Sequence, residues 1–445
     1  MQRITDGGDC SIFITVFKMW NSPGSEGLTT TSAADAPPTP DRREVDPRST
    51  AGVISRWTAS WPVRDVLVPF IVTRLLLCLV GWMALITFQS LPASPGSWEL
   101  KPSGEVAVAS PYLSPSSYPL LNIYSRWDGG WYHSIAKQGY NFQPGRQSNT
   151  AFFPLYPLLM QAAHLLSPSD SDASWMLCGW IVSNAALLVG LFYLILLLRL
   201  DFDHRTAARA ALYLLVFPTT FFFSAVYSES VFIAAVLAAF YYARRGQWIV
   251  ASLCAGAATL TRSPGVILAA PLLLEYLAQR KFRLRDIRPN IVALGVIPVC
   301  VLLHMLYLRW RVGNFMAIQD AQRAWGGEWG ALSWPWNPLF RFIREPVIFQ
   351  EVVNVTAAGV AILLVAYAVV RLRPSYGVYA AASYVFITSW GTFESMPRYI
   401  LIIFPMFAVL AIFGRNEIFH RAYLIFATGL ASFFMIRFAL WRWVA

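Results

Sequence analysis

Charged residues are scarce in this sequence. Asp, Glu, Lys and Arg make up 13% of its 445 residues, whereas soluble globular proteins carry about 25%. Apolar residues reach 56% and aromatic residues 15%. This composition excludes an ordinary soluble domain and indicates a chain whose main solvent is lipid.

Cysteine pairs and metal-ligand patterns are also lacking. The five cysteines are scattered, no CxxC pair occurs, and four of the five lie inside apolar runs. This disfavours a disulfide framework or a zinc site. Since no metal-ligand cluster and no phosphate-cradling glycine loop occur either, we expect no metal and no cofactor.

The basic residues, with a formal net charge of +11, first suggest a nucleic-acid partner, because phosphate backbones are bound through clustered Lys and Arg. Their distribution excludes it. They fall in short loops between apolar runs, as the positive-inside rule describes for cytoplasmic loops. The main examples are Arg244, Arg245, Arg280, Lys281, Arg283, Arg285, Arg288, Arg371, Arg373, Arg415 and Arg421.

Apolar runs recur from residue 65 to the end and predict an all-α polytopic membrane protein of about eleven transmembrane helices. With the amino terminus inside, this count puts every basic loop named above in the cytoplasm. The predicted spans are 65–88, 174–199, 206–223, 228–243, 247–262, 264–279, 290–311, 352–371, 376–392, 398–414 and 421–439.

Two apolar regions are too short to be ordinary spans. Residues 152–166 are apolar but short, and counting them as a span would break the charge pattern, so we predict an interfacial helix on the outer leaflet. The adjoining spans 247–262 and 264–279 have about 16 residues each, which gives only ~24 Å against a hydrocarbon core of ~30 Å. Local thinning or burial in protein is therefore expected for that pair.

The sequence divides into three regions. Residues 1–63 are rich in Pro, Ser, Thr, Asp and Arg and predict a disordered cytoplasmic tail. Residues 64–312 contain the first outside loop, 89–173. Residues 313–445 form a more variable membrane region that begins with a Trp-rich outside loop, 312–351.

The first outside loop contains the strongest cluster of candidate functional residues, SRWDGGWYHSIAKQGY from residue 125 to 140. Asp128 lies between Trp127 and Trp131 and is followed by two glycines, which let a ligand approach the backbone. A carboxylate beside aromatic walls suits a general base that accepts a proton from a sugar hydroxyl. The alternative is an acid that caps a short interfacial helix.

Five sequence blocks resemble one known family. RWDGGWY, IAKQGY, AFFPLYPLL, FPTTFFFSAVYSESVF and LTRSPG occur in this order over about 140 residues. They are similar to the PIG-V family, which comprises the second mannosyltransferase of glycosylphosphatidylinositol assembly and its bacterial relatives. The resemblance extends loosely over the whole membrane region.

The resemblance implies a GT-C glycosyltransferase fold, with a seven-span module, periplasmic juxtamembrane helices and a catalytic acid in the first outside loop. It implies a polyprenyl-phosphate-linked sugar donor, with mannose as the sugar, and a lipid-linked or extracytoplasmic glycan acceptor. A multi-pass protein of the bacterial inner membrane with a periplasmic active site is expected. One departure concerns the acceptor: eukaryotic members of the family typically have His three residues after the Asp, where this chain has Trp131, and His133 follows two residues later.

The other candidate residues have competing explanations. Glu229 either binds the acceptor or supports Asp128, or else it caps a helix together with Ser228. Arg262 and Arg398 either bind the donor phosphate or snorkel to headgroups. His133 either replaces the missing family His or is an ordinary loop histidine. The remaining predicted substrate-binding residues are Arg126, Trp127, Trp131, Tyr132 and Tyr227.

The expected reaction is an inverting displacement in which Asp128 deprotonates the acceptor hydroxyl and lipid phosphate leaves. The rival class is a non-enzymatic transporter or lipid flippase, which would spread ionisable residues along a pathway through the membrane. Here they concentrate at the predicted outer ends, and no internal repeat is seen, although transporters commonly have repeats. A scaffolding protein is the third possibility.

Overall fold

A computed structural model describes residues 60–88, 118–324, 334, 336–344, 349–390 and 392–444. Over these residues the chain is helical and contains no strand. Most of the predicted tail, residues 89–117 of the first outside loop and 325–333 of the Trp-rich loop lie outside the described residues.

The helices follow one another with short connections. The first half contains α1 Val68–Phe88, α2 Pro119–Tyr124, α3 Gly129–Gln138, α4 Leu155–His164, α5 Asp172–Leu198, α6 His204–Leu215, α7 Glu229–Arg244, α8 Trp248–Thr261 and α9 Ala269–Gln279. The second half contains α10 Val296–Val312, α11 Ala317–Arg323, α12 Asn337–Arg344, α13 Phe349–Arg371, α14 Pro374–Thr388, α15 Met396–Tyr399, α16 Phe404–Phe413 and α17 Glu417–Ala439.

Among the described residues, five helical segments are long and apolar enough to cross a membrane. A span needs about 20 residues, and these have 23 to 27. They are Val63–Phe88, Asp172–Leu198, Pro289–Val312, Phe349–Arg371 and Glu417–Ala439. The chain is therefore an all-helical membrane protein, and the count of about eleven spans stays a prediction.

Two shorter apolar helices, Trp248–Thr261 and Ser263–Gln279, coincide with the two short segments that the sequence predicts at 247–262 and 264–279. Likewise, the apolar segment predicted as an interfacial helix contains only the ten residues of α4. At about 1.5 Å per residue, α4 is ~15 Å long and cannot cross a bilayer.

The predicted span 398–414 is not one straight helix. Met396–Ile402 and Phe404–Phe413 meet at an angle of 87°. Pro405 lies in the first turn of α16, where it lacks the N–H that would continue the helix from the preceding turn. Because of this bend, the short arm that carries Arg398 points away from the axis of α16.

The middle of α7 is surrounded by other helices. It packs against α5 and α8, and most of its residues are buried, as expected for a helix that is apolar on all sides. The amino-terminal end of α7 is the residue Glu229. The carboxylate of Glu229 is therefore buried in the protein interior.

Arg74, a buried residue in the middle of α1, fixes the segment that leads into α7. Its guanidinium donates to the carbonyl oxygens of Leu215 at 2.8 Å and Thr220 at 3.0 Å, and to the hydroxyl of Ser224 at 3.2 Å. On the other side, the Ser183 hydroxyl donates to the Tyr227 carbonyl at 3.1 Å. These bonds tie the segment between α6 and α7 to two neighbouring helices, α1 and α5.

Candidate active site

Asp128 occupies the residue just before α3, where an Asp commonly caps the helix. Its side chain, however, makes no capping hydrogen bond. Its Oδ2 instead accepts a hydrogen bond from Arg398 Nη1 at 2.6 Å, and its backbone N–H donates to the Tyr227 hydroxyl at 3.2 Å. Oδ1 accepts none from a described residue, and the side chain is 15% exposed. One carboxylate oxygen is thus anchored and the other is open to a ligand.

The residue before Asp128 has an unusual backbone. Trp127 has φ +50°, which is a genuine outlier for a bulky side chain. Its ring packs edge-on against Trp441 at 5.3 Å and Trp443 at 5.0 Å between centroids. The packing of three indoles holds the left-handed conformation, and such strain is found preferentially at functional sites.

Glu229 is the second carboxylate of the site and is only 1% exposed. Its Oε1 accepts hydrogen bonds from Arg398 Nε and from Arg262 Nη1, both at 2.5 Å. Its Oε2 is buried and has no partner among the described residues. A single carboxylate oxygen therefore holds two guanidinium groups side by side, although their like charges repel each other.

We call Asp128, Glu229, Arg262 and Arg398 the charge network. Its two carboxylates and two guanidiniums sum to zero charge, which is how charges are tolerated away from water. Arg262 Nη1 is the only atom of that guanidinium that bonds to a described residue. Its Nε and Nη2 are consequently available to an anion such as phosphate, for which a guanidinium is the preferred side chain.

Aromatic rings surround the charge network. Arg398 lies 4.4 Å from the Tyr227 ring centroid, and Arg262 lies 5.7 Å from that of Tyr399, within the range of cation–π attraction. The Tyr132 hydroxyl bonds to the Ser228 hydroxyl at 2.6 Å, which in turn accepts from Arg262. Burial raises the pKa of Tyr132, so the phenol stays protonated.

Arg126, Trp131 and His133 are predicted site residues whose contacts lie away from the charge network. Arg126 Nη2 donates to the Ala439 carbonyl at 3.0 Å, and Trp131 stacks on Phe152. His133 Nε2 lies 3.1 Å from Asp172 Oδ1. Burial lowers the pKa of His133, against the opposing effect of Asp172, so its ring is neutral at neutral pH.

Several residues around the site were not predicted as site residues. Ser228 and Tyr399 adjoin predicted residues, Glu229 and Arg398, and this proximity is the signal that points to them. Apart from Asp65 at its first position, Arg74 is the only charged residue of the first predicted span, 65–88, and a charge inside a span marks an internal contact. No sequence pattern points to Trp441 or Trp443 as part of the site.

The fold and site define a helical membrane protein with a charge network of paired carboxylates and arginines. Residues 64–319 match the family model for mannosyltransferase (PIG-V), which covers more than half of the chain. The chain belongs to this family. No curated protein matches it.

Among solved structures, the chain is similar to the oligosaccharyltransferase of Archaeoglobus fulgidus. For its complex with zinc and sulfate, the identity is 15% and the TM-score 0.41, over 83% of this chain and 52% of that chain. For AglB from the same organism, with an inhibitory peptide and a dolichol-phosphate, the identity is 14% and the TM-score 0.41, over 86% and 56%. The chain spans about half the length of these structures.

Proposed function

We propose that the protein transfers mannose from a polyprenyl-phosphate-linked donor to a lipid-linked or extracytoplasmic glycan acceptor. It does so as a GT-C enzyme in the bacterial inner membrane, with the active site on the periplasmic side. The observation that carries the proposal is the half-anchored carboxylate of Asp128, which pairs with Arg398, one of two arginines that share Glu229.

Asp128 acts as the general base of an inverting displacement. Its open oxygen takes the proton from the acceptor hydroxyl, and the acceptor oxygen attacks the anomeric carbon from the face opposite the leaving group. The bond between that carbon and the phosphate oxygen breaks, and polyprenyl phosphate leaves with the electron pair. Arg398 holds the other carboxylate oxygen and so fixes the direction of the base, since geometry decides whether proton transfer is productive.

The two arginines stabilise the leaving phosphate. Negative charge grows on the phosphate as the glycosidic bond breaks, and fixed donors that point at this charge lower the barrier. Arg262 has two nitrogens free of described partners, and Glu229 keeps both guanidiniums in place before the donor arrives. Glu229 is therefore a positioning residue in this mechanism.

The remaining predicted substrate-binding residues form the surroundings of the reaction centre. Tyr132 and Tyr227 bond to the backbone and hydroxyl groups around Asp128 and Glu229. Trp127 and Trp131, which flank Asp128 in the sequence, are proposed as the aromatic walls of the sugar site. Arg126 braces the loop against the end of α17. His133 is proposed as a contact on the acceptor side, further along α3.

The decisive experiment combines purified protein with polyprenyl-phosphate-mannose and extracted bacterial membrane lipids, followed by mass spectrometry of the products. A hexose added to a lipid in the presence of the wild-type protein, and absent with Asp128→Asn, supports the proposal. Transfer from GDP-mannose in the absence of any lipid carrier would contradict it, because the proposed site faces away from the nucleotide-sugar pool.

A further inference from the structure

A cavity of about 330 Å³ lies away from the charge network, between the end of α3, helix α4, the last turn of α8 and helix α10. Its volume is at the lower end of the ~300–1,000 Å³ that is usual for small-molecule sites. None of the four residues of the charge network lines it, although Leu260 lies two positions before Arg262 and Ile135 lies seven positions after Asp128. Seven residues of helix correspond to about 10 Å.

Exposed apolar side chains form much of the rim of the cavity, together with the polar Gln161. Leu158 is 52% exposed, Leu303 58% and Tyr307 41%, and all three line the cavity. Leu303 and Tyr307 belong to α10, within the candidate span Pro289–Val312. An exposed apolar rim on a spanning helix faces hydrocarbon rather than water. The occupant consequently enters from the bilayer.

The inner wall of the cavity carries one polar group without a partner. His304 is 3% exposed, and neither of its ring nitrogens bonds to a described residue. The rings of Tyr140 and Phe153 lie 5.6 and 5.4 Å from the imidazole. Buried polar side chains in native proteins are nearly always hydrogen-bonded. An unpaired imidazole that lines an apolar cavity therefore indicates an apolar ligand that carries a hydrogen-bonding group within its chain.

A cation lies further along the same helix. Arg311 follows His304 by seven residues, or two turns and about 10 Å of helix. Its guanidinium adjoins Gly139 of the cavity wall: a Cβ on that glycine would lie 3.6 Å from Nη2. Arg311 is exposed and makes no hydrogen bond to a described residue. Along α10, Leu303, His304 and Tyr307 line the cavity, and Arg311 follows Tyr307 by four residues.

We propose that this cavity binds a diacyl glycerophospholipid of the bilayer. One acyl chain fills the cavity, its ester carbonyl accepts a hydrogen bond from His304, and its phosphate pairs with Arg311. A neutral imidazole has one N–H to donate, and an ester carbonyl accepts it, whereas a plain hydrocarbon tail has no acceptor. The site is separate from the proposed sugar transfer and does not depend on it.

The test is photolabelling of the purified full-length protein in dodecyl maltoside. The probe is phosphatidylglycerol with a diazirine in one acyl chain, and labelled peptides are identified by mass spectrometry. The variants are Leu303→Trp, which fills the mouth, His304→Phe, which removes the ring nitrogens, and Arg311→Gln. The matched control is Leu306→Trp, because Leu306 is an exposed leucine of α10 outside the cavity.

We expect the probe to label the peptides that contain Leu158 and Tyr307. Leu303→Trp and His304→Phe lower this labelling about fivefold, the effect of losing roughly one hydrogen bond or its equivalent in contact; Arg311→Gln lowers it less, and Leu306→Trp leaves it unchanged. Only variants that elute like the wild type on size exclusion are compared. If the His304→Phe variant does not elute like the wild type, the comparison of Leu303→Trp with Leu306→Trp tests the proposal.

Two outcomes overturn the proposal. Equal labelling of the Leu303→Trp and Leu306→Trp variants means that the cavity is not the labelled site. Competition by polyprenyl phosphate or by the mannose-accepting lipid, but not by unlabelled phosphatidylglycerol, means that the cavity holds a substrate lipid instead.

Discussion

Asp128 differs from the other acid of the site in what surrounds it. Its side chain is partly exposed and has one neighbouring cation, whereas Glu229 is buried between two. A carboxylate that is to accept a proton must be reachable by substrate. One that organises cations must instead be enclosed by them. Neutralising Asp128 is therefore expected to remove activity alone, whereas neutralising Glu229 is expected to lower activity and stability together.

Asp128→Asn is expected to abolish transfer and to leave folding nearly intact. Asn keeps the shape of Asp and an oxygen that accepts a hydrogen bond from Arg398. It cannot take the proton from the hydroxyl group of the sugar acceptor. Loss of a general base costs about 10² to 10⁴ in rate. The measurement is product formed per folded molecule. Retention of more than about a tenth of wild-type activity would remove Asp128 as the base.

Glu229→Gln is expected to lower both activity and stability. The change leaves two guanidiniums close together with one fewer negative charge, and loss of one partner of a buried ion pair typically costs about 3–5 kcal/mol. Thermal unfolding in detergent, followed beside Asp128→Asn, is the measurement. If Glu229→Gln unfolds at the wild-type temperature, Glu229 does not hold the two arginines together.

Sequence patterns identified the members of the charge network but not how they are joined. Asp128 and Glu229 stand in distinctive blocks, and each arginine lies at the end of an apolar run. Asp128 and Arg398 are nevertheless 270 positions apart, and no local pattern indicates which cation meets which acid. The strain at Trp127 could not be predicted either, because it depends on Trp441 and Trp443 at the far end of the chain.

Hydrophobic runs in the sequence predicted where most helices lie. They did not predict the bend between two helices or the contacts of a charged residue inside a helix. The bend between α15 and α16 needs Pro405, yet a proline near the start of a span is also compatible with a straight helix. Arg74 lies inside a run that is otherwise apolar. Its acceptors come from the end of α6 and the turn after it, which a one-dimensional pattern does not place beside α1.

Arg74→Leu is expected to destabilise the protein and to reduce transfer. It leaves the buried carbonyl groups of Leu215 and Thr220 without their donor, and each such loss costs about 1–3 kcal/mol. The turn that leads to Tyr227 loses its support from α1. The measurement is the unfolding temperature of the purified variant together with its activity per folded molecule.

Arg64→Gln provides the matched control for Arg74→Leu. Arg64 lies ten positions earlier, is exposed and pairs with its neighbour Asp65, and exposed ion pairs contribute little to stability. We expect this control to behave like the wild type. If the two variants are equally stable, Arg74 does not hold the turn in place.

At the scale of the whole molecule, composition and loop charge predicted a helical membrane protein, and the structure and the family match agree. Orientation in the membrane is a separate matter, because it depends on how basic residues are distributed between loops. The segment 280–288 contains five of them, whereas the charge network belongs to the opposite ends of the predicted spans. We therefore expect the charge network outside the cytoplasm.

This orientation is tested with single cysteines at two exposed positions, Ser169→Cys in the predicted outside loop and Leu284→Cys in the most basic loop. The background is a variant in which all five native cysteines are replaced. An impermeant thiol reagent applied to intact cells should label Ser169→Cys and spare Leu284→Cys, and both should react once the cells are opened. Labelling of Leu284→Cys alone in intact cells would invert the topology, and it would place Asp128 on the side where nucleotide sugars are available as donors.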